Sequence, residues 1–122
     1  MNVFDGSALL AFLLDERGAD TVESALDEGG VRAAANWSEV VQKSLVAGRD
    51  WPTARTLLLS YSMRVESVTA EDGEVAASLL AERPYLSLGD RLCLALGERL
   101  DAIVLTTDAA WGVGGRIRQI RE

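Results

Sequence analysis

The sequence predicts an α/β fold, a three-layer α/β/α sandwich with a central, mostly parallel sheet. Short apolar segments typical of buried strands alternate along the chain with longer segments of helical periodicity. Strands separated by helices pair in parallel through right-handed crossovers, which place helices on both faces of the sheet. At 122 residues the chain is long enough for one core and too short for two cores plus a linker. We therefore expect residues 1–122 to form a single domain.

The chain begins with a predicted strand, "NVF", in which a β-branched residue lies in a short apolar run before Asp5. The next segment, "SALLAFLLDERG", has helical spacing, with Ser7 as the expected N-cap and Gly18 beyond the end. The segment "DTVESALDEGG" predicts a second short helix, because Asp20 and Glu23 have capping-box spacing and a glycine pair follows.

The middle of the chain continues this alternation. A brief strand, "VRAAA", leads into the helix "NWSEVVQKSLVAG", where Asn36 and Glu39 again have capping-box spacing. Helix is also predicted for "DWPTARTLLLSYS", because Pro52 falls near the first turn, where its missing N–H costs nothing. The segment "RVESV" alternates like a strand. Thr69 to Asp72 gives the cap signature of the helix "EVAASLLAER", which we expect to stop at Pro84.

The last third contains one more helix and two strands. The segment "LSLGDRLCLAL" predicts a buried helix with Ser87 as N-cap and Asp90 three positions later. The apolar run "AIVLTT" predicts a buried strand that halts at Asp108. A short helical turn and glycine loop, "DAAWGVGG", and an edge strand, "RIRQI", complete the predicted elements.

The composition excludes several kinds of chemistry. Histidine is absent, which removes Ser-His-Asp triads, Cys-His dyads and nearly all zinc sites. The single cysteine, Cys93, cannot form an internal disulfide and is expected to be a buried, inert thiol. A net charge of -7 disfavours loose adhesion to nucleic acid, so a nucleic-acid substrate would require bound cations or a local basic patch. Without a bilayer-length apolar run or a basic leader, we expect a cytoplasmic protein.

Four acids are expected at one edge of the predicted sheet. Asp5 and Asp108 each follow a strand, and Glu39 lies in the first turn of the helix after the second strand. The carboxyl ends of parallel strands share one edge, where open α/β sheets bind ligands. Asp90 heads the helix before the "AIVLTT" strand and reaches this edge if the preceding loop crosses over. Each acid alone is well explained by capping or solvation.

Four converging carboxylates would repel one another and raise their own pKa values unless a cation neutralised them. Hard oxygen ligands without nitrogen or thiolate select Mg²⁺ or Mn²⁺. The acidic edge therefore predicts a site for one of these ions.

The segments "NVFDGSALLAFLL", "NWSEV", "LSLGDRLCLALG" and "VLTTDAAW" together resemble the ordered acidic motifs of PIN-domain ribonucleases, particularly the VapC toxins of bacterial toxin–antitoxin pairs. The similarity extends over essentially the whole chain. One departure is Gly6, where many relatives have alanine or threonine. Polar positions that support the family's site are matched by Ser7 and Thr106. The resemblance implies that the metal-binding and catalytic acids are Asp5, Glu39, Asp90 and Asp108.

The same resemblance implies a function. It indicates an endoribonuclease that hydrolyses RNA phosphodiester bonds with Mg²⁺ or Mn²⁺ and acts as the toxin of a VapBC-type pair. The implied partners are an RNA substrate, a VapB-like antitoxin and a second copy of the chain in a homodimer. An apolar groove between the N-terminal helices would receive the antitoxin, with Trp51 as one wall.

Two alternatives are compatible with the same residues. A non-catalytic PIN-fold module would bind RNA or protein without cutting. A phosphatase of the haloacid-dehalogenase type also has an aspartate at the end of its first strand. That phosphatase needs a second aspartate where this chain has Ser7, and a later lysine, whereas the sole lysine, Lys43, lies in a predicted helix.

The basic residues allow two interpretations. Arg91 is expected to be an exposed or salt-bridged helix residue rather than a phosphate ligand. The only dense basic cluster in the sequence consists of Arg116, Arg118 and Arg121. It fits an RNA-facing edge and an ordinary exposed strand equally well.

Overall fold

The structure is a computed structural model that describes residues 1–121. In this structure five strands form the central sheet. They are Asn2–Phe4 (β1), Gly30–Ala33 (β2), Met63–Glu66 (β3), Ile103–Thr106 (β4) and Ile117–Gln119 (β5). Their order across the sheet is β3-β2-β1-β4-β5, and every neighbouring pair is parallel. The predicted three-layer fold with a parallel sheet is confirmed.

Six α-helices and one short 3₁₀ helix connect the strands. They are Gly6–Leu13 (α1), Ala19–Glu28 (α2), Ala34–Val46 (α3), Trp51–Ser60 (α4), Ala70–Ser78 (α5), Leu88–Arg99 (α6) and the 3₁₀ helix Ala109–Trp111. Each of them overlaps a segment with predicted helical spacing, although α3 begins at Ala34, within the predicted strand "VRAAA". Among residues 1–121, no helix is both long enough and apolar enough to span a bilayer.

The core lies on both faces of the sheet, as expected for parallel strands that helices cover on both sides. Phe4 and Leu105 face a cluster that includes side chains of α1 to α4. Their strand neighbours Val3 and Val104 face the opposite cluster, which includes the apolar side of α6. Cys93 is fully buried there, and burial raises the pKa of its thiol well above the usual range, as expected for an inert thiol.

Several predicted helix starts are wrong. The N-cap of α1 is Asp5 rather than Ser7, because the chain enters the helix directly from β1. Helix α1 ends at Leu13, and Gly18 is the N-cap of α2, so Asp20 does not cap that helix. Helix α3 starts at Ala34 without a side-chain cap, which places Asn36 inside the helix.

Other predicted caps are confirmed. Thr69 and Asp72 form a reciprocal capping box at the start of α5, and the hydroxyl of Ser87 accepts from the backbone N–H of Asp90 at the start of α6. Pro52 lies in the first turn of α4, as predicted. Helix α5 ends at Ser78, well before Pro84, so the proline does not terminate it.

An ion pair joins the start of α5 to the end of α6. Arg99 Nε donates to Asp72 Oδ1 at 2.9 Å, and Arg99 Nη2 donates to Asp72 Oδ2 at 3.2 Å. Burial by itself raises the pKa of Asp72, but hydrogen bonds from Arg99 and from the backbone of Thr69 outweigh it and lower the pKa below its ordinary value. Asp72 therefore stabilises the fold in its charged form.

We expect Asp72→Asn to lower the free energy of unfolding by about 1–3 kcal/mol at neutral pH, because it removes a charge-assisted pair. The folded-state pKa lies below the unfolded-state pKa, so this stabilisation is present above the unfolded-state value and is lost as the pH falls through the folded-state value. Urea unfolding at neutral and at strongly acidic pH measures the difference between parent and variant. An equal difference at both would contradict the assignment.

Candidate active site

The structure places the four predicted acids around one cavity of about 250 Å³ at the carboxyl edge of the sheet. Asp5 follows β1, and Asp108 lies just beyond the end of β4. Glu39 lies in the second turn of α3 rather than the predicted first turn, because the helix begins at Ala34. The loop before α6 crosses over and brings Asp90 to the same cavity.

Asp5 is the most firmly held of these acids. Its side chain is buried, and its Oδ1 accepts a hydrogen bond from the backbone N–H of Gly6 at 2.7 Å. Its Oδ2 accepts from the hydroxyls of Ser7 at 2.6 Å and Thr106 at 2.9 Å. Three donors therefore fix the position and the orientation of this carboxylate.

The two hydroxyls predicted to support the site also fix the start of the loop after β4. Thr106 is fully buried, and its Oγ1 accepts from the backbone N–H of Asp108 at 3.0 Å. Ser7 Oγ accepts from the backbone N–H of Thr107 at 3.0 Å and lies 3.3 Å from Thr106 Oγ1. The loop that carries Asp108 is thus connected to Asp5 through both hydroxyls.

Glu39 is positioned by an asparagine that the sequence suggested only as a helix cap. Asn36 is buried, and its Nδ2 donates to Glu39 Oε1 at 2.9 Å and to the carbonyl of Gly89 at 3.0 Å. A Cβ on Gly89 would lie 3.0 Å from Glu39 Oε1, so a glycine lets α6 approach this carboxylate closely. Asn36 therefore joins α3 to the turn of α6 that carries Asp90.

Asp90 experiences the charge of the other acids. Burial raises the pKa of Asp90, and the charges of Asp5 and Glu39 add to this effect, while hydrogen bonding with Ser87 opposes it. The carboxylates are thus close enough to repel one another across the cavity. A bound cation would relieve this repulsion.

Asp108 is exposed and caps the 3₁₀ helix. Its Oδ1 accepts from the backbone N–H of Ala110 at 2.9 Å. Gln119 Nε2 donates to the backbone carbonyl of Asp108 at 2.8 Å, so β5 also supports this loop.

A protein-family model of the PIN domain matches residues 3–112 of the chain, a range that contains all four acids. The chain belongs to the PIN domain family. PIN membership argues against the haloacid-dehalogenase alternative, for which Ser7 already stood in place of a required aspartate.

Solved structures share this PIN fold. A toxin–antitoxin complex from Klebsiella pneumoniae matches with a TM-score of 0.77 and 18% identity, over 98% of this chain and 98% of that chain. Mycobacterium tuberculosis VapC20, described as a Sarcin-Ricin loop cleaving toxin, matches with a TM-score of 0.72 and 17% identity, over 93% of this chain and 97% of that chain. At these identities the similarity establishes the fold. No curated protein matches the chain significantly.

The donor set of this PIN domain fits a hard divalent cation. Carboxylate and hydroxyl oxygens line the cavity, and Cys93, which is fully buried in the core, is not part of the lining. Among residues 1–121, no three acidic, cysteine or histidine side chains lie close enough to form a ready-made metal cage.

Two basic residues near the cavity were not predicted as part of it. Lys43 lines the cavity. The sequence signal that could have indicated this is its position four residues after Glu39, which places both side chains on the same face of α3. Arg32 on β2 is completely buried. Burial lowers the pKa of Arg32 to about 10 although Cys93, Asp5 and Glu39 all favour its charged form, so the guanidinium stays charged at neutral pH.

Arg91, Arg116 and Arg121 make structural contacts. Arg91 is half-buried, and its Nη1 donates to the carbonyl of Ala76 at 2.8 Å, so the expectation of an exposed or salt-bridged residue is wrong. Within the predicted basic cluster, Arg116 pairs with Asp101 at 2.7 Å and Arg121 pairs with Glu16 at 3.2 Å. Arg118 is exposed on β5.

Proposed function

We propose that this protein is a metal-dependent endoribonuclease and the toxin of a VapBC-type toxin–antitoxin pair. One observation carries the proposal, namely that Asp5, Glu39, Asp90 and Asp108 come from four separate segments and line one cavity. Membership in the PIN domain family and the toxin folds among its structural neighbours support it. The proposal includes residues 1–122 as a single domain.

The residues have distinct roles in the proposed hydrolysis. A Mg²⁺ or Mn²⁺ ion held by the four carboxylates would supply a nucleophilic hydroxide at neutral pH and polarise the phosphoryl group. Asp5 provides the fixed point of the site, because Ser7 and Thr106 hold its orientation. Lys43 offers a positive charge at the cavity wall that attracts and orients the RNA phosphate. In-line attack by water gives products with a 5′-phosphate and a 3′-hydroxyl.

A groove beside α4 supports the proposed antitoxin partner. Its volume is about 250 Å³, and its lining includes Leu13, Ala54 and Leu57 together with the polar ends of Arg49 and Asp50. We propose that this groove receives an apolar segment of the antitoxin. Trp51 was expected as a wall of the groove, but it packs edge to face on Trp37, with ring centroids 5.2 Å apart.

The proposed homodimer is supported by apolar side chains at the surface. Leu45 is 59% exposed and Val46 is 84% exposed, and they are adjacent at the end of α3. Adjacent exposed apolar residues of this kind favour association with another protein surface. Sedimentation of the purified chain, alone and with its antitoxin, would measure the assembly.

The nuclease proposal predicts metal-dependent cleavage by the purified protein. We expect Mn²⁺ or Mg²⁺ to support endonucleolytic cleavage of transfer, ribosomal or messenger RNA, EDTA to abolish it and added Mn²⁺ to restore it. Sequencing of the product ends would show 5′-phosphates. Cleavage that persists in EDTA would contradict the metal requirement. Tight Mn²⁺ binding without cleavage of any of these RNAs would favour the non-catalytic module instead.

A further inference from the structure

A buried arginine lies beneath the acidic cavity with most of its hydrogen-bonding capacity unused. Arg32 Nη1 donates to the carbonyl of Phe4 at 2.9 Å. Its Nε and Nη2 are buried and have no hydrogen-bond partner among residues 1–121. Removing a guanidinium from water without replacing its hydrogen bonds is costly, so another interaction must stabilise it here.

The position of the guanidinium identifies that interaction. Phe4, which accepts its hydrogen bond, immediately precedes Asp5. A Cβ on Gly6 would lie 3.5 Å from Arg32 Nη2 and 4.0 Å from the Cβ of Glu39. The charge of Arg32 therefore lies close to the backbone of Phe4 and Gly6 on either side of Asp5, and the start of the Glu39 side chain borders the same space at Gly6. Within residues 1–121 no carboxylate forms a salt bridge with Arg32, yet charges interact over several ångströms in a medium of low dielectric constant.

We propose that Arg32 is the internal counter-charge of the acidic cluster, which holds the carboxylates together in the ion-free protein and weakens their attraction for a divalent cation. The buried positive charge and the crowded carboxylates stabilise each other without a hydrogen bond between them. The inference rests on the proposed function only in taking Mn²⁺ or Mg²⁺ as the cation. Arg32 acts through the carboxylates and is a positioning residue.

This role predicts an effect on metal affinity that is opposite in sign to that of a structural role. If Arg32 only supported the fold, its replacement would disturb the cavity and weaken metal binding. If Arg32 is the counter-charge, an uncharged side chain of similar length leaves the carboxylates more negative and strengthens metal binding. The sign of the change therefore separates the two roles.

Calorimetric titration with Mn²⁺ in the absence of RNA tests the sign. We expect Arg32→Met to lower the Kd for Mn²⁺ by about tenfold and Arg32→Lys, which keeps the charge, to stay near the parent value. Arg99→Met is a matched control, because Arg99 lies at the opposite end of α6 from Asp90 and pairs with Asp72. Its Kd for Mn²⁺ should equal that of the parent.

A double-mutant cycle in EDTA tests the counter-charge without metal. We expect Glu39→Gln to increase the unfolding midpoint in urea more in the Arg32→Met background than in the parent. In that background no positive charge at position 32 opposes the repulsion between Glu39 and the other acids, so removing the charge of Glu39 relieves more repulsion. If Arg32→Met fails to fold alone, folding of the double variant supports the proposal, and failure of both variants overturns it.

The outcomes distinguish this inference from the proposed function. Weaker or unchanged Mn²⁺ binding by folded Arg32→Met would overturn the counter-charge role and leave the nuclease proposal intact. Absence of Mn²⁺ binding by the parent would overturn both. Tighter binding by Arg32→Met, with Arg32→Lys and Arg99→Met unchanged, is the expected result.

Discussion

Asp5→Asn is expected to reduce RNA cleavage by about 10³-fold or more, because a neutral amide oxygen binds the cation that the proposed reaction needs much more weakly than a carboxylate does. The fold should survive the change. The asparagine oxygen can still accept from the backbone N–H of Gly6 and so retains the N-cap of α1. The hydroxyls of Ser7 and Thr106 can rotate to accept from the new amide instead of donating to a carboxylate.

Two measurements check this result, namely cleavage by the purified protein with Mn²⁺ and growth arrest after expression in a bacterial host. Asp27→Asn is the matched control, since Asp27 is an exposed residue of α2 outside the cavity and the change removes the same charge. Equal thermal unfolding of both variants and the parent would exclude a folding defect. If Asp5→Asn cleaved RNA and arrested growth as strongly as Asp27→Asn, the assignment of the cavity as the active site would be wrong.

The fold class could be predicted from the sequence because its signals are local and repeated. Buried strands such as "AIVLTT" and helices such as the one containing Cys93 differ in period, and their alternation along the chain restricts the topology to a parallel sheet. That topology alone predicts that Asp5 and Asp108 lie at one edge of the sheet. Asp90 required a further condition on the loop before α6, and the structure meets it.

The supporting residues were harder to predict because their roles depend on contacts between distant segments. Asn36 has the spacing of an N-cap, yet α3 begins two residues earlier, and the amide instead bonds both to Glu39 and to Gly89, which lies 53 positions after Asn36. Capping signals fix the presence of a helix better than its first residue. A charged residue in the short strand "VRAAA" gives no indication of which way it points, so the burial of Arg32 had no sequence signal.

Trp111→Ala is expected to lower the free energy of unfolding by about 3–5 kcal/mol, the cost typical of removing a large aromatic side chain from a core. Trp111 is only 1% exposed and packs in the cluster that contains Val3 and Val104. It lies outside the regular strands and α-helices, at the end of the 3₁₀ helix. Urea unfolding at neutral pH would measure the loss.

The same substitution should reduce cleavage even under conditions where the variant is folded. The backbone N–H of Trp111 donates to the carbonyl of Asp108 at 3.1 Å, so the buried ring anchors the turn that presents this acid to the cavity. Without that anchor the turn gains freedom, and Asp108 spends less time in position. Stability and activity should therefore fall together at this residue.

Trp51→Ala is a suitable comparison, because Trp51 is half-buried at the start of α4 and lies outside the acidic cavity. The Trp51→Ala substitution removes an identical side chain and should lower the free energy of unfolding less than Trp111→Ala does. The folded Trp51→Ala variant should retain RNA cleavage. A loss from Trp111→Ala of less than about 1 kcal/mol would mean that the loop collapses into the vacated space. In that case Asp108 would be held by Thr106 and Gln119 alone, and the tryptophan would have no part in positioning it.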